Sequence, residues 1–337
     1  MKKVQLRTKT LLLPESWDEL THQQRLYAFG LLHDVTGNRL SPATFRIRML
    51  MYLTGYKPSR GIASYLIRYI LLFTAVPFVA LWYFVRLGHI RFPAYWSVWY
   101  QAHKPKAHDR DVINYNLFKL SEMLDFAFTL EGNTITLNRV FANNPIPELV
   151  MGEQVFPGKK FIRDISPFTN ITGREFSDCF DLYSSYNKTQ DAEKQEKCVD
   201  KIISILYPAV KDYNENLVEN HTELIRNLPP EYKTGILLWF SGIVEYYLTH
   251  PYYSLLFRSP ASESPEVSGA VNLGMNEIVL MITRQGYNEN DNVNNFFDAQ
   301  LMVLKKNLSD MLASGVKIED LARKTNMSIG NINKLIS

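Results

Sequence analysis

"PPEYKTGILLWFSGIVEYYLTHP", Pro229 to Pro251, is the stretch that decides the fold. Paired prolines suit a helix start, where the missing N–H would have no partner in any case. Pro251 stops the run, because proline removes a helical hydrogen bond. Between them the apolar residues fall on most sides of a helix, not on one stripe. A helix of that kind belongs at the centre of a core, so it requires amphipathic helices around it.

Those helices lie on both flanks. Upstream, Thr172 and Glu175 form a capping box, in which a hydroxyl and a carboxylate satisfy backbone N–H groups reciprocally; it heads "EFSDCFDLYSSY". "NKTQD" breaks that helix. "AEKQEKCVDKIISILYP" follows, with Cys198, Val199, Ile202, Ile203 and Leu206 on one face and Pro208 as its stop. Downstream, helices are predicted at about 273–285 and 292–313, after the Ser/Pro/Glu loop "RSPASESPEVSG". Toward the N-terminus, "NYNLFKLSEMLDFAF" places Leu117, Leu120, Met123, Leu124 and Phe128 at a period near 3.6 and predicts another helix. "FTLEGNTITLNRV" reads as a hairpin turning at Gly132-Asn133. "NNPIPELVMGEQVFPGKKF" reads as loop. Near the start, Val4, Leu6, Thr8, Thr10 and Leu12 alternate up to Pro14 as one edge strand or arm. A helix with a Thr21/Gln24 capping box follows, then one capped by Ser41 and stopped by Gly55.

The expected fold is mainly α: a helical bundle with a small β-hairpin, an N-terminal strand and a helix-turn-helix-like C-terminus. Its segments are 1–62 (strand plus helices), 63–115 (apolar, basic-flanked segment and connector), 116–315 (hairpin plus bundle) and 316–337 (tail). Composition agrees. Glycine is only 16 of 337 residues, and aromatics reach 13%, which argues against disorder.

Charge is unevenly spread. Residues 1–110 hold 16 Lys or Arg against 5 Asp or Glu, whereas the remainder holds 21 against 29. A basic N-terminal region suits an anionic surface, or the acidic remainder of the chain itself. Residues 69–85, "YILLFTAVPFVALWYFV", are apolar and lie between Arg68 and Arg86. The run is near the minimum for a membrane span of about 20 residues, and Pro77 interrupts it, so a buried helix or kinked pair is expected. A membrane-associated segment is the alternative. The first residues carry no long apolar run before Pro14, unlike a secretory signal, and a cytoplasmic location is expected.

Chemistry is sparse. The sequence contains no phosphate loop, dinucleotide fingerprint, metalloprotease motif or nucleophile elbow. His103 and His108, with Asp109 adjacent, have poor metal spacing. Glu277 and Arg284 form at most one pair. Glu193, Glu196 and Asp200 share a helix face with Lys194, Lys197 and Lys201 and read as a solvated salt-bridge face. Cys179 and Cys198 read as buried free thiols. No catalytic residue, metal ligand or cofactor is expected, and a binding protein is the better default than an enzyme.

One stretch carries a mechanical pattern: "IEDLARKTNMSIGNINKLI", Ile318 to Ile336. Ala322 sits where two helices would touch, Asn326 at a tight turn, and Ser328 at the cap of a second helix anchored by Ile332, Leu335 and Ile336. Ser328, Gly330, Asn331, Asn333 and Lys334 then point outward, where a recognition helix meets base edges. From Lys305 onward 6 basic residues face 3 acidic ones. That is modest for a phosphate-binding module, so a packing role is expected and DNA binding is the alternative.

Four phrases resemble proteins encoded in phage and prophage gene clusters of Bacteroides-type gut bacteria. They are "LPESWDELT" at Leu13, "ITLNRVFANNPIP" at Ile135, "TGREFSDCFDLYSSYNKTQDAEKQEKCVDKIISILYP" at Thr172 and "ILLWFSGIVEYY" at Ile236. The resemblance implies a chaperone or accessory role in virion or tail assembly, without an established activity. It carries over no functional residue. The expected partners are therefore other proteins, virion or tail components or a second copy of the chain.

Overall fold

The structure is a computed structural model that describes residues 1–6, 9–55, 115–116, 118–131, 134–163, 167–209, 215–257, 290–325 and 327–337. The fold is mainly helical, with β structure confined to two-stranded antiparallel sheets among these residues. Contacts divide the chain into two compact units, one of Met1–Glu15 and Val35–Asp125, the other of Ser16–Asp34 and Phe126–Ser337. The apolar 69–85 run, the histidines at 103 and 108, the 273–285 helix and the Glu277/Arg284 pair lie outside the described residues.

In the first unit, β1 (Lys2–Leu6) pairs with β2 (Lys9–Leu13), from Lys2 opposite Leu13 to Leu6 opposite Lys9. The single strand expected here is thus a hairpin. The alternating pattern runs unbroken through the connection, and Arg7-Thr8 has none of the glycine or asparagine that announces a tight turn. The N-terminal ammonium of Met1 lies 3.0 Å from Glu15. Helix α2 (Pro42–Thr54) starts at Ser41, whose hydroxyl accepts from the Thr44 N–H, and ends at Gly55 with φ at 65°. Phe45, Met49 and Leu50 form its buried side. The helix expected from 114 to 128 ends early, near Ser121. Phe128 is buried as expected, but from a strand, so the 3.6-residue reading carried too far.

In the second unit, a short 3₁₀ turn at Trp17–Glu19 leads into α1 (His22–Thr36), most of which belongs to this unit. Gln24 and Thr21 cap α1 reciprocally, at 2.9 and 3.3 Å. Trp17 is fully buried among Phe29, Phe126 and Phe141, with ring centroids 5.0–5.4 Å away. Its indole N–H donates to the Asn138 carbonyl at 2.8 Å, so the large apolar ring is buried without an unpaired donor.

The expected hairpin forms as β3 (Phe128–Glu131) and β4 (Thr134–Leu137). The stretch read as loop instead holds β5 (Glu148–Met151) and β6 (Gln154–Pro157). Gly152, with φ at 62°, makes the two-residue turn between them, and the prolines at both ends hid so short a hairpin. β7 (Phe161–Ile162) and β8 (Phe168–Thr169) make another.

The bundle follows. Helix α3 (Gly173–Lys188) carries the complete Thr172/Glu175 capping box. Asp191 caps α4 (Ala192–Leu206). Next come α5 (Glu215–Ile225), α6 (Pro230–Thr249) and α7 (Val293–Ala313). Helix α4 packs against α3, α5 and α6, and α7 packs against α3. As its sequence requires, α6 is central, with Ile236, Leu238, Trp239, Phe240, Ile243, Val244 and Tyr247 all buried. Tyr247 touches Phe176 and Phe297 edge-on at 5.2 and 4.9 Å. Its hydroxyl lies 2.6 Å from the Asn294 side-chain oxygen.

Cys179 is fully buried, but Cys198 is half-exposed, because position 198 lies at the edge of the apolar face of α4. Burial raises both thiol pKa values, further for Cys179. Iodoacetamide at mildly alkaline pH should therefore alkylate Cys198 in the native protein and Cys179 only in denaturant. Peptide mass spectrometry checks this, and native labelling of Cys179 would contradict the packing.

Candidate interaction surfaces

One cluster of buried polar groups centres on Asp200 and Lys233. Asp200 was expected on a solvated face, yet only 2% of it is exposed. The reason is spatial. Glu193 pairs with Lys197 along the same helix, but α4 turns Asp200 toward α6, where Lys233 waits at 2.7 Å. The Lys233 ammonium also lies 3.1 Å from Glu196 and 2.9 Å from the Arg226 carbonyl. The contacts to Glu196 and Arg226 have hydrogen-bond geometry, and that to Asp200 is a close ion pair. Burial raises the Asp200 pKa, while hydrogen bonding and attraction to Lys233 oppose the shift.

His221 and Ser204 lie in the same region, both buried. The Ser204 hydroxyl donates to the Asp200 backbone carbonyl at 2.9 Å. The His221 ring lies tilted against Phe156 with centroids 4.8 Å apart, and burial lowers its pKa. The cluster is a clamp joining α4, the end of α5 and α6. Among the described residues no group of three or more His, Cys, Asp or Glu is arranged to hold a metal ion.

The hairpins present a different kind of surface. Each of the three in the second unit has a root in the core and an apolar cross-strand pair in solvent. In β5–β6, Leu149 and Phe156 face each other inward, and Val150 and Val155 face each other outward, 63% and 56% exposed. In β7–β8, Phe161 and Thr169 are buried while Ile162 opposes Phe168, which is 56% exposed. In β3–β4, Phe128 is buried at the base and the exposed pair is Leu130 with Ile135. Directly opposed side chains on a sheet reinforce one another by only about 0.2–1 kcal/mol. Local packing therefore gives little reason to keep three such pairs wet.

The C-terminal tail forms α8 (Ile318–Thr325) and α9 (Ile329–Ile336), with α9 packed on α7 and α8. This is the helix-turn-helix-like shape expected, although Asn326 itself lies outside the described residues. Ile332, Leu335 and Met327 are buried. The deepest residue of α8 is Leu321, with Ala322 half-buried beside it. Ser328 caps α9 by accepting from the Asn331 N–H at 3.2 Å. Asn331 is half-buried, whereas Ser328, Gly330, Asn333 and Lys334 are exposed. The Lys334 ammonium stands 5.5 Å from the centre of the Tyr252 ring. The apolar pairs of the hairpins were missed in the sequence. Alternation of Leu149, Val150, Val155 and Phe156 about Gly152 was the available signal.

Among the described residues no helix is long and apolar enough to cross a membrane. Compared with known protein families, curated proteins and solved structures, the chain matches none.

Proposed function

We propose that this chain works by binding other proteins, without catalysis, as a phage-type assembly or accessory component. The observation that carries the reading is the repeated solvent-facing apolar pair on three successive hairpins: Leu130/Ile135, Val150/Val155 and Ile162/Phe168. Apolar and aromatic groups that stay wet in the free chain gain most from a partner. The resemblance of four phrases to phage and prophage proteins is the ground for proposing assembly as the setting.

Photo-crosslinking in the native host cells tests this. A benzophenone amino acid placed at Val150, Val155 or Phe168 should give a discrete protein adduct of the same mass from each position. The same group at exposed Glu193 on α4 should give none. An adduct of twice the chain mass would identify a second copy as the partner. Absence of adducts at all three hairpin positions, or equal labelling at Glu193, would overturn the proposal.

A further inference from the structure

We infer that the outward face of α9 enters the major groove of duplex DNA. This goes beyond the hairpin reading and stands on a separate surface. Burial of Ile332 and Leu335, with Met327 and Leu321 beneath, fixes the roll of α9. It leaves Ile329, Gly330, Asn333 and Lys334 in solvent. Eight residues at about 1.5 Å each make a rod of roughly 12 Å. Its diameter with side chains, about 10–12 Å, is what a major groove about 12 Å wide admits.

Gly330 is the second observation. Glycine weakens a helix, so it needs a reason to be in one. Packing among the described residues supplies none: of these, an added Cβ would meet only the Ser328 hydroxyl, at 4.0 Å. Its φ is also not in the left-handed region. A bare backbone on the exposed side of a capped helix suits close approach by an outside surface.

The neighbouring side chains suit base edges and phosphates. Asn333, one turn on from Gly330, carries the amide that pairs bidentately with adenine. Ile329 offers an apolar contact for a thymine methyl. Helix α9 contains no acidic residue. The two acids of the tail lie in the first turn of α8, and Asp320 is tied to Arg323 at 3.3 Å. The α9 face thus carries one cation, Lys334, and no anion. Lys334, held over Tyr252, sits at the border of that face, where a phosphate would lie. A protein partner fits less well, because Ile329 is the one exposed large apolar residue on α9.

Fluorescence anisotropy of the full chain with labelled 30-base-pair duplexes tests the inference. The probes are a random pool, a sequence enriched from it by selection, and a scrambled control. Affinity should fall at least about 3.5-fold between 50 and 200 mM salt, as expected for the one phosphate that Lys334 would neutralise. Gly330→Glu, for which there is space, should lower affinity at least tenfold on every duplex while leaving the circular dichroism and melting unchanged. Asn333→Ala should reduce the preference for the enriched sequence over the scrambled one by roughly tenfold. No binding at 50 mM salt would overturn the inference. Binding indifferent to Gly330→Glu would do the same by placing the DNA elsewhere. A sequence preference unchanged by Asn333→Ala would overturn the base contact.

Discussion

Lys233→Met should destabilise the protein by about 3–5 kcal/mol at neutral pH, the usual cost of removing one partner from a buried ion pair. The ammonium it deletes serves Asp200, Glu196 and the Arg226 carbonyl together. Glu196 is exposed and can turn to water, but Asp200 is buried and cannot. The deficit should therefore depend on pH in a defined direction. Burial already holds the Asp200 pKa above its ordinary value, and Lys233 opposes that shift. Without the lysine the folded-state pKa climbs further above the unfolded value of about 3.9. A carboxyl raised in this way favours folding when protonated, and that contribution is lost as pH rises through the folded pKa. The deficit should thus shrink as pH falls from 7.5 toward 5. Urea denaturation at several pH values checks this, with Lys233→Met/Asp200→Leu as the companion variant. The double variant should recover much of the lost stability, because no buried charge is left unpaired. A deficit of equal size at every pH would show that Asp200 is not its source.

Gly242→Ala should cost roughly 3 kcal/mol or more, above the usual range for overpacking. Exchanging glycine for alanine inside a helix ordinarily gains about 1 kcal/mol. Here the added Cβ would drive into the backbone carbonyl oxygen of Arg139, a group that cannot rotate away. The Gly242 carbonyl also accepts a hydrogen bond from the Arg163 guanidinium at 2.8 Å, so α6 and two loop segments meet at this point. Gly30→Ala is the matched control. Its Cβ would meet the Glu231 Cβ at an ordinary 3.8 Å, and the change should be neutral or mildly stabilising. Thermal melting of the two variants separates close backbone approach from general intolerance of helical substitution.

Much of the bundle was legible because its signals are local. The capping box at Thr172, the prolines around α6 and the amphipathic pattern of α4 each act within a few residues. The tail was legible for the same reason: Ser328 and Ile332 lie within one short helix and its cap. What escaped depends on neighbours distant in the chain. Asp200 looks solvated beside Lys197 and Lys201, and only the arrival of α6 encloses it. The β5–β6 hairpin is four residues a side and bounded by prolines, so its alternation was too brief to stand out. The outward pairs became recognisable only once their inward neighbours, Leu149 with Phe156, were seen to be buried.

The start of α3 has a consequence for how the chain is made. Thr172 pairs with Asn292 as an isolated antiparallel bridge. The Gly173 N–H donates to the Asp291 carbonyl at 2.9 Å, and the Val293 N–H to the Ile171 carbonyl at 2.8 Å. A nascent chain emerging from the ribosome presents the first partner long before the second. At 5–20 residues per second, the roughly 120 intervening residues take about 6–24 s to translate. Throughout that interval Phe176 lacks Phe297, its edge-on partner in the finished core. Translation speed, as much as sequence, then sets how long this aromatic surface stands open to other nascent chains.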